Sequence, residues 1–353
     1  MKGLTISEID KNFEVKSENH KDTRYFDVLD KPFSLYGVFY ENGAYRRLPE
    51  SVAKEVSVGV HALHTHTAGG RIRFVTDSPY VSVLAKYTSV GKMPHFALTG
   101  SAGFDLYENT PSGEVYVKTF IPQFDISDTL DSTIPFPSSS LRSFTVNFPL
   151  YSGLSSVYIG IKEGSRLEKA DGYAIEKPIV YYGSSITQGG CASRPGLSYQ
   201  SVISRALNVN HVNLGFSGNA KAEDAISDYI SRLDMSLFVY DYDHNAPSVE
   251  HLLSTHKKMF TKIREAQPNL PIVMLSRPKA DLTDDEITCR EIIRATYSSA
   301  KVSGDQNVYF MDGKELMYLA GDEGTVDSCH PNDLGFYSMA SALIPLIKSI
   351  LCK

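Results

Sequence analysis

Tryptophan is absent from the 353 residues, and cysteine is scarce at four. The first absence removes the usual aromatic platform for stacking a sugar ring and leaves that task to the 21 tyrosines. The second excludes a disulfide scaffold: Cys191, Cys289, Cys329 and Cys352 show no framework spacing and no C-x-x-C, which suits a reducing compartment. Surplus positive charge is missing too. Lys and Arg total 35 against 41 Asp and Glu, giving a net charge of −6. No basic cluster offers nucleic acid an electrostatic footprint, so nucleic-acid partners are discounted. No run approaches the roughly 18 consecutive apolar residues that a spanning helix needs, so no membrane partner is expected. The opening Met1-Lys2-Gly3-Leu4-Thr5-Ile6-Ser7-Glu8 lacks the apolar core of a secretory signal. The expectation is a cytoplasmic chain, or a secreted one whose signal has been removed.

What is present describes a globular protein, with 42% hydrophobic and 22% charged residues. The length exceeds what one core usually serves and implies about two domains. From about residue 25 to 165 the apolar pattern is short and alternating. Arg71-Ile72-Arg73-Phe74-Val75, Tyr80-Val81-Ser82-Val83-Leu84, Val115-Tyr116-Val117-Lys118 and Phe144-Thr145-Val146-Asn147-Phe148 read as half-buried strands, separated by turn-rich pieces such as Thr110-Pro111-Ser112-Gly113. Many short strands without helical spacers predict an all-β sandwich of jelly-roll type.

After about residue 175 the rhythm becomes strand then helix, repeated. Short continuous apolar runs at 178–182, 211–214, 236–240, 270–275 and 307–311 suit a sheet covered on both faces. Thr283-Asp284-Asp285-Glu286 has the spacing of a capping box, and a final helix is expected over about 334–351. The pattern predicts an α/β three-layer domain with a parallel sheet, whose ligand site lies outside the carboxyl ends of the strands. The expected division is 1–172 for the sandwich and 173–353 for the α/β domain, joined through a linker at 163–176.

Four polar motifs fall at strand ends in the second half. Gly183-Ser184-Ser185-Ile186-Thr187 follows the first strand, Gly215-Phe216-Ser217-Gly218-Asn219 the second and Asp241-Tyr242-Asp243-His244-Asn245 the third; Asp327-Ser328-Cys329-His330 precedes the last helix. A serine hydroxyl is a poor nucleophile unless an imidazole takes its proton, and the imidazole works best when a carboxylate fixes its tautomer. Asp327 and His330 are three residues apart, so one turn of chain can bring the carboxylate to Nδ1 and leave Nε2 free for Ser185. Any one of these turns alone reads equally well as a cap or a bend.

Taken in order, the motifs resemble those of the SGNH (GDSL-type) hydrolase superfamily. Ser185 matches the nucleophile of the first block, Gly218 the second-block glycine, Asn245 the third-block asparagine, and Asp327 with His330 the final D-x-x-H. Gly103-Phe104-Asp105-Leu106-Tyr107 is similar to the G-x-D-L-Y signature of a subgroup in which a β-sandwich precedes the hydrolase domain. The resemblance implies that Ser185 attacks an acyl carbonyl, His330 accepts its proton and Asp327 orients His330. It assigns the oxyanion hole to the backbone N–H groups of Ser185 and Gly218 and to the Asn245 side chain. Two blocks depart from the family pattern: Ser184 replaces a common Asp, and Asp243 and Ala246 flank Asn245 where Gly and Asp are usual.

Other candidates carry less. His64 and His66, with His61 nearby, read as residues sharing one face of a strand rather than as metal ligands, since no carboxylate or cysteine lies close in sequence. Cys329 reads as small buried filler. Tyr242, Asp243 and His244 either touch substrate or cap a strand. No cofactor and no metal are called for.

The expected function is therefore a serine esterase hydrolysing small O-acyl esters, acetyl foremost, with the carbohydrate substrate implied by the resemblance alone. The alternatives are a lipase or thioesterase, for which no amphipathic lid is evident, and a non-catalytic carbohydrate-binding protein on a hydrolase scaffold. The expected partner is a small-molecule or oligosaccharide acyl ester, and a homo-oligomer is left open.

Overall fold

The computed structural model describes residues 4, 6–11, 14, 15 and 20–352. Its first half holds two large antiparallel sheets, besides the short hairpin of Phe39–Glu41 with Ala44–Arg46. One has the strand order Thr23–Asp27, Gly153–Lys162, Tyr80–Ser89, Thr129–Pro135. The other runs Leu167–Glu168, Arg71–Thr76, Arg142–Asn147, Phe104–Thr110, Gly113–Phe120, with Ser34–Tyr36 added on Arg71–Thr76. Alternation decides which side chains meet: Ile72, Phe74, Phe104, Leu106, Phe144 and Val146 from the second sheet share one buried core with Val81, Val83, Val157 and Ile159 from the first.

The opposite face of the second sheet is polar, yet it is buried as well. Arg71, Arg73, Asp105, Thr145 and Asn147 are all under 9% exposed. The half-buried reading of these strands thus holds for their apolar residues only; the polar ones are covered by the other half of the molecule. The β-rich region is also interrupted. Helices Glu50–Val56 and Val58–Leu63 place Ala53, Val56 and Val60 in a core they share with the α/β half.

That half is built on five parallel strands, β1 (Ile175–Gly183), β2 (Val209–Gly215), β3 (Leu237–Asp241), β4 (Ile272–Leu275) and β5 (Val308–Met311), in the order β2-β1-β3-β4-β5. Their continuous apolar composition follows from cover on both faces. Val180, Tyr182, Phe238, Tyr240, Ile272 and Met274 pack under α3 (Asp224–Ser231), α4 (Val249–Ala266) and α5 (Asp284–Val302). The alternate residues Ile179, Tyr181, Leu237, Val239, Val273 and Leu275 pack under α1 (Ser185–Gln188), α2 (Tyr199–Leu207) and α6 (Asp333–Leu351). The Thr283 capping box is formed at the head of α5, with both reciprocal hydrogen bonds present. By length and composition α6 could cross a membrane, but Phe336, Met339, Ala340, Leu343 and Ile347 lie in the core on one stripe of it.

Order and register together position the site. The chain reverses direction across the sheet at β1, which has β2 on one side and β3 on the other, so a crevice opens between their ends. Gly183 pairs with Gly215 of β2 and with Asp241 of β3, so the three strands finish level and the turns after them meet on one rim.

Candidate active site

Ser184 and Ser185 leave β1 directly into α1. Ser184 caps that helix, its Oγ accepting from Ile186 N at 3.2 Å, while its own N–H donates to Asp241 O at 3.2 Å. The serine standing where relatives carry an acid therefore has a structural task. Ser185 is the first helical residue, 9% exposed, and its backbone carbonyl accepts from Tyr151 Oη at 3.1 Å. Its Oγ lies 2.9 Å from His330 Nε2.

The turn before α6 explains why Asp327 and His330 sit as they do. Ser328 adopts a left-handed φ of 64°, which folds the chain back on itself. Asp327 Oδ1 then accepts from the N–H of Cys329 at 3.1 Å and of His330 at 2.7 Å, leaving Oδ2 to take the imidazole N–H from Nδ1 at 2.7 Å. One carboxylate thus closes the turn with one oxygen and fixes the imidazole with the other. Partial burial pushes the Asp327 carboxyl up, but the backbone and side chain of His330 outweigh it and hold the group below its ordinary range, so it stays ionised.

Gly218 lies in the turn after β2 with φ of 68°, and a Cβ there would meet no atom within 4 Å. Backbone conformation rather than crowding within the chain calls for glycine. Among the described residues, the N–H groups of Ser185 and Gly218 have no hydrogen-bond acceptor. Asn245 ends a short 3₁₀ turn, Asp243–Asn245, and its Nδ2 donates to Phe216 O at 3.1 Å, which ties it to the same loop as Gly218. Asp243 is buried: its Oδ2 accepts from Arg277 N at 3.0 Å, and its carbonyl accepts from Arg277 Nη2 at 3.0 Å. Burial pushes its carboxyl up to about 6 despite Arg277. Tyr242 points into the apolar core and shares a hydrogen bond of 2.8 Å with Thr255. Of the two readings of this stretch, strand capping describes Asp243, which takes the Arg277 N–H just past β4, while Tyr242 is core packing. Burial also raises the Cys329 thiol, which keeps it protonated.

Four residues that the sequence did not single out as active-site groups come from the β-rich half or lean on it. Tyr151 holds the Ser185 carbonyl, as above. Gln188, at the end of α1, donates from Nε2 to His66 Nδ1 at 3.1 Å and accepts the Ser217 N–H at 3.0 Å, so the Gly218 loop is braced through an imidazole of the other half. His66 is kept neutral, burial with Arg47 nearby lowering it to about 3, and so can accept. It does not share a strand face with His64: the segment is helical up to Leu63, and His64 pairs with Arg46 instead. His95 reaches the rim itself, with Nε2 3.8 Å from Asp327 Oδ2 and its ring 5.8 Å from that of His330. His95, Asp327 and His330 are the one group of potential metal ligands found among the described residues. An ion there would have to displace the Asp327–His330 hydrogen bond.

The G-x-D-L-Y segment lies at the seam between the halves. Asp105 is fully buried and accepts from Gly196 N at 2.8 Å, Asn147 Nδ2 at 2.8 Å and Arg194 Nη1 at 3.1 Å. Tyr107 bonds the same arginine and lies under the Arg205 guanidinium at 4.3 Å. The loop they grip continues to the active turn, with Cys191 N donating to Pro331 O at 2.9 Å and Ser193 N to Asp333 Oδ1 at 2.8 Å.

Comparison with known proteins agrees with this architecture. Residues 176–348 match the model of the GDSL-like Lipase/Acylhydrolase family, and residues 23–167 match that of the N-terminus of SGNH-hydro-type esterases, named GxDLY. The chain belongs to the SGNH (GDSL-type) hydrolases. It is a carboxylic ester hydrolase of that type, in the subgroup with the G-x-D-L-Y N-terminal region. A Bacteroides ovatus protein described as a GDSL-like lipase superposes with a TM-score of 0.84 at 26% identity, over 94% of this chain and 98% of that one. The salicylyl-acyltransferase SsfX3 of a tetracycline biosynthetic pathway gives 0.76 at 20% identity, again over 94% and 98%. A family two carbohydrate esterase from Cellvibrio japonicus gives 0.61 at 13% identity, with the same coverage. The last two identities are low enough that the likeness is one of fold. No curated protein sequence matches the chain.

Proposed function

We propose that this SGNH hydrolase is a serine esterase that removes small O-acyl groups, acetyl foremost, from a carbohydrate. The observation that carries the mechanism is the chain of contacts from Ser185 Oγ to His330 Nε2 and from His330 Nδ1 to Asp327 Oδ2, at 2.9 and 2.7 Å. Ser185 attacks the ester carbonyl as its proton passes to His330, and the imidazolium forming beside Asp327 is stabilised by the ionised carboxylate. The tetrahedral oxyanion is taken by the N–H groups of Ser185 and Gly218 and by the Asn245 amide. His330 returns the proton to the departing sugar oxygen, and water then releases the acid from the acyl-enzyme by the same route.

The carbohydrate reading draws on two observations. The rim is open, with His330, Asp327 and His95 side chains 26%, 33% and 43% exposed, which admits a bulky hydrophilic alcohol. Solved structures of the same fold include family two carbohydrate esterases and an acetyl xylan esterase from Butyrivibrio proteoclasticus. Acetate release from acetylated oligosaccharides, compared with hydrolysis of p-nitrophenyl acetate and longer-chain esters, tests the proposal. Ser185→Ala is expected to fold normally and to lose turnover on all of them; undiminished turnover would end the serine mechanism, and preference for long chains would favour a lipase.

A further inference from the structure

Arg71 and Arg73 stand two apart on one strand and so project from the same face of their sheet, toward the α/β half. Every nitrogen of the Arg71 guanidinium has an acceptor. Nε donates to Tyr173 Oη at 2.6 Å, Nη1 to the carbonyls of Gly69 and His211 at 2.7 and 3.1 Å, and Nη2 to Asn210 Oδ1 at 2.7 Å. Arg73 is buried almost as deeply, at 5% exposure, but among the described residues its Nε and Nη1 have no partner. Its Nη2 comes only to 3.9 Å from Glu114 Oε1, and Tyr173 covers the guanidinium face at 4.6 Å. A guanidinium stays charged at any accessible pH, so burying one without acceptors opposes folding unless something supplies them.

What Arg73 lines is a cleft of about 580 Å³ between the 109–114 hairpin and the end of α2. Glu114, Arg205 and Asn208 border it, and Thr110 stands on the hairpin side. Two arginines against one carboxylate leave the cleft net positive, and its volume falls within the range of small-ligand sites. It lies away from the ester site. Asn208 precedes the first residue of β2, and the Gly218 turn follows the last; seven residues at about 3.3 Å each separate the two by roughly 20 Å.

We propose that this cleft binds a small solute bearing an oxyanion, a carboxylate or a phosphate, with the under-partnered Arg73 guanidinium as its principal donor. Charged donors to an oxyanion form short, strong hydrogen bonds, and the hydroxyl and amide groups of Thr110 and Asn208 suit a polar remainder. The inference is independent of the esterase reading, since it uses none of the residues at the rim.

Isothermal titration of the full chain with sodium glucuronate, inorganic phosphate and, as the neutral control, glucose tests it. Saturable heat is expected from at least one anion and none from glucose; the anion that binds identifies a sugar carboxylate or a phosphate as the source. Arg73→Gln should weaken binding at least tenfold. Should that variant fold poorly, Ser112→Glu, on the exposed hairpin tip, sets a negative charge at the mouth and should weaken binding without disturbing the core. The proposal is overturned if neither anion gives saturable heat, if glucose binds equally, or if the well-folded variants bind the anion as the parent does.

Discussion

Asn245 is the residue whose surroundings depart furthest from the family pattern, and its geometry turns that departure into a measurable expectation. Its amide is held by Phe216 O at 3.1 Å, so one N–H is spent on orientation and the other remains for substrate. Replacing it with Ala should lower kcat by about 10²–10³ while leaving KM nearly unchanged. Steady-state kinetics on p-nitrophenyl acetate checks this, and an effect on KM alone would exclude Asn245 from oxyanion stabilisation. Asp243 replaces a glycine at no cost in access, because its side chain turns away to Arg277. Residue-level legibility was accordingly uneven. Ser185, Asp327 and His330 could be picked out because nucleophile, base and orienter are distinctive types with a fixed short spacing at one end. Gln188, His66, Tyr151 and His95 could not, because each acts through a contact between residues far apart in sequence, and no local pattern marks a glutamine that will meet a histidine of the other half.

At the level of elements, the G-x-D-L-Y strand acts as a clasp. Asp105 gathers three donors from two directions, and its removal leaves the buried Asn147 amide and Gly196 N–H without their acceptor and the half-buried Arg194 with Tyr107 alone. Asp105→Ala should cost about 3–5 kcal/mol of stability, read as a lower urea midpoint, with the loss falling on the molecule as a whole. A change below about 1 kcal/mol would mean that water replaces the carboxylate. The parallel strands and their helices were readable from periodicity, and the capping box from its spacing. The helices at 50–56 and 58–63 were not, since each is too short to display a full amphipathic period, and His64 looked like a strand residue for the same reason. Nor does alternation reveal that a polar face is covered: the same pattern describes a sheet facing water and a sheet facing another domain.

For the molecule as a whole, buried titratable groups tie stability to pH. Burial holds His66 and His256 near 3 and keeps His211 and His244 well below their ordinary value. The unfolded chain takes up protons at these positions near pH 6.5 and the folded chain does not, so their stabilising contribution is complete above that pH and is lost as pH falls toward 3. Asp241 and Asp243, raised by burial, act in the opposite sense, as the folded state binds their protons first. Burial also lowers His64 and raises Glu114 and Glu223, so five imidazoles stand against four carboxyls; the imidazoles of the unfolded chain titrate within this range, and Tm should fall between pH 7 and pH 5. Calorimetry across that range checks the sign, and a flat or rising Tm would mean that the imidazoles are hydrated rather than buried.

The buried polar face of the second sheet bears on how such a protein can change over generations. A surface that meets water tolerates drift, but Arg71 and Asp105 answer particular partners in the hydrolase half, Asn210 and Arg194 among them, and a substitution on either side leaves the other uncompensated. The two halves are therefore bound to descend together. A chimera that pairs this N-terminal region with the hydrolase region of a distant relative should succeed only when the loop at 193–196 and the start of β2 travel with it.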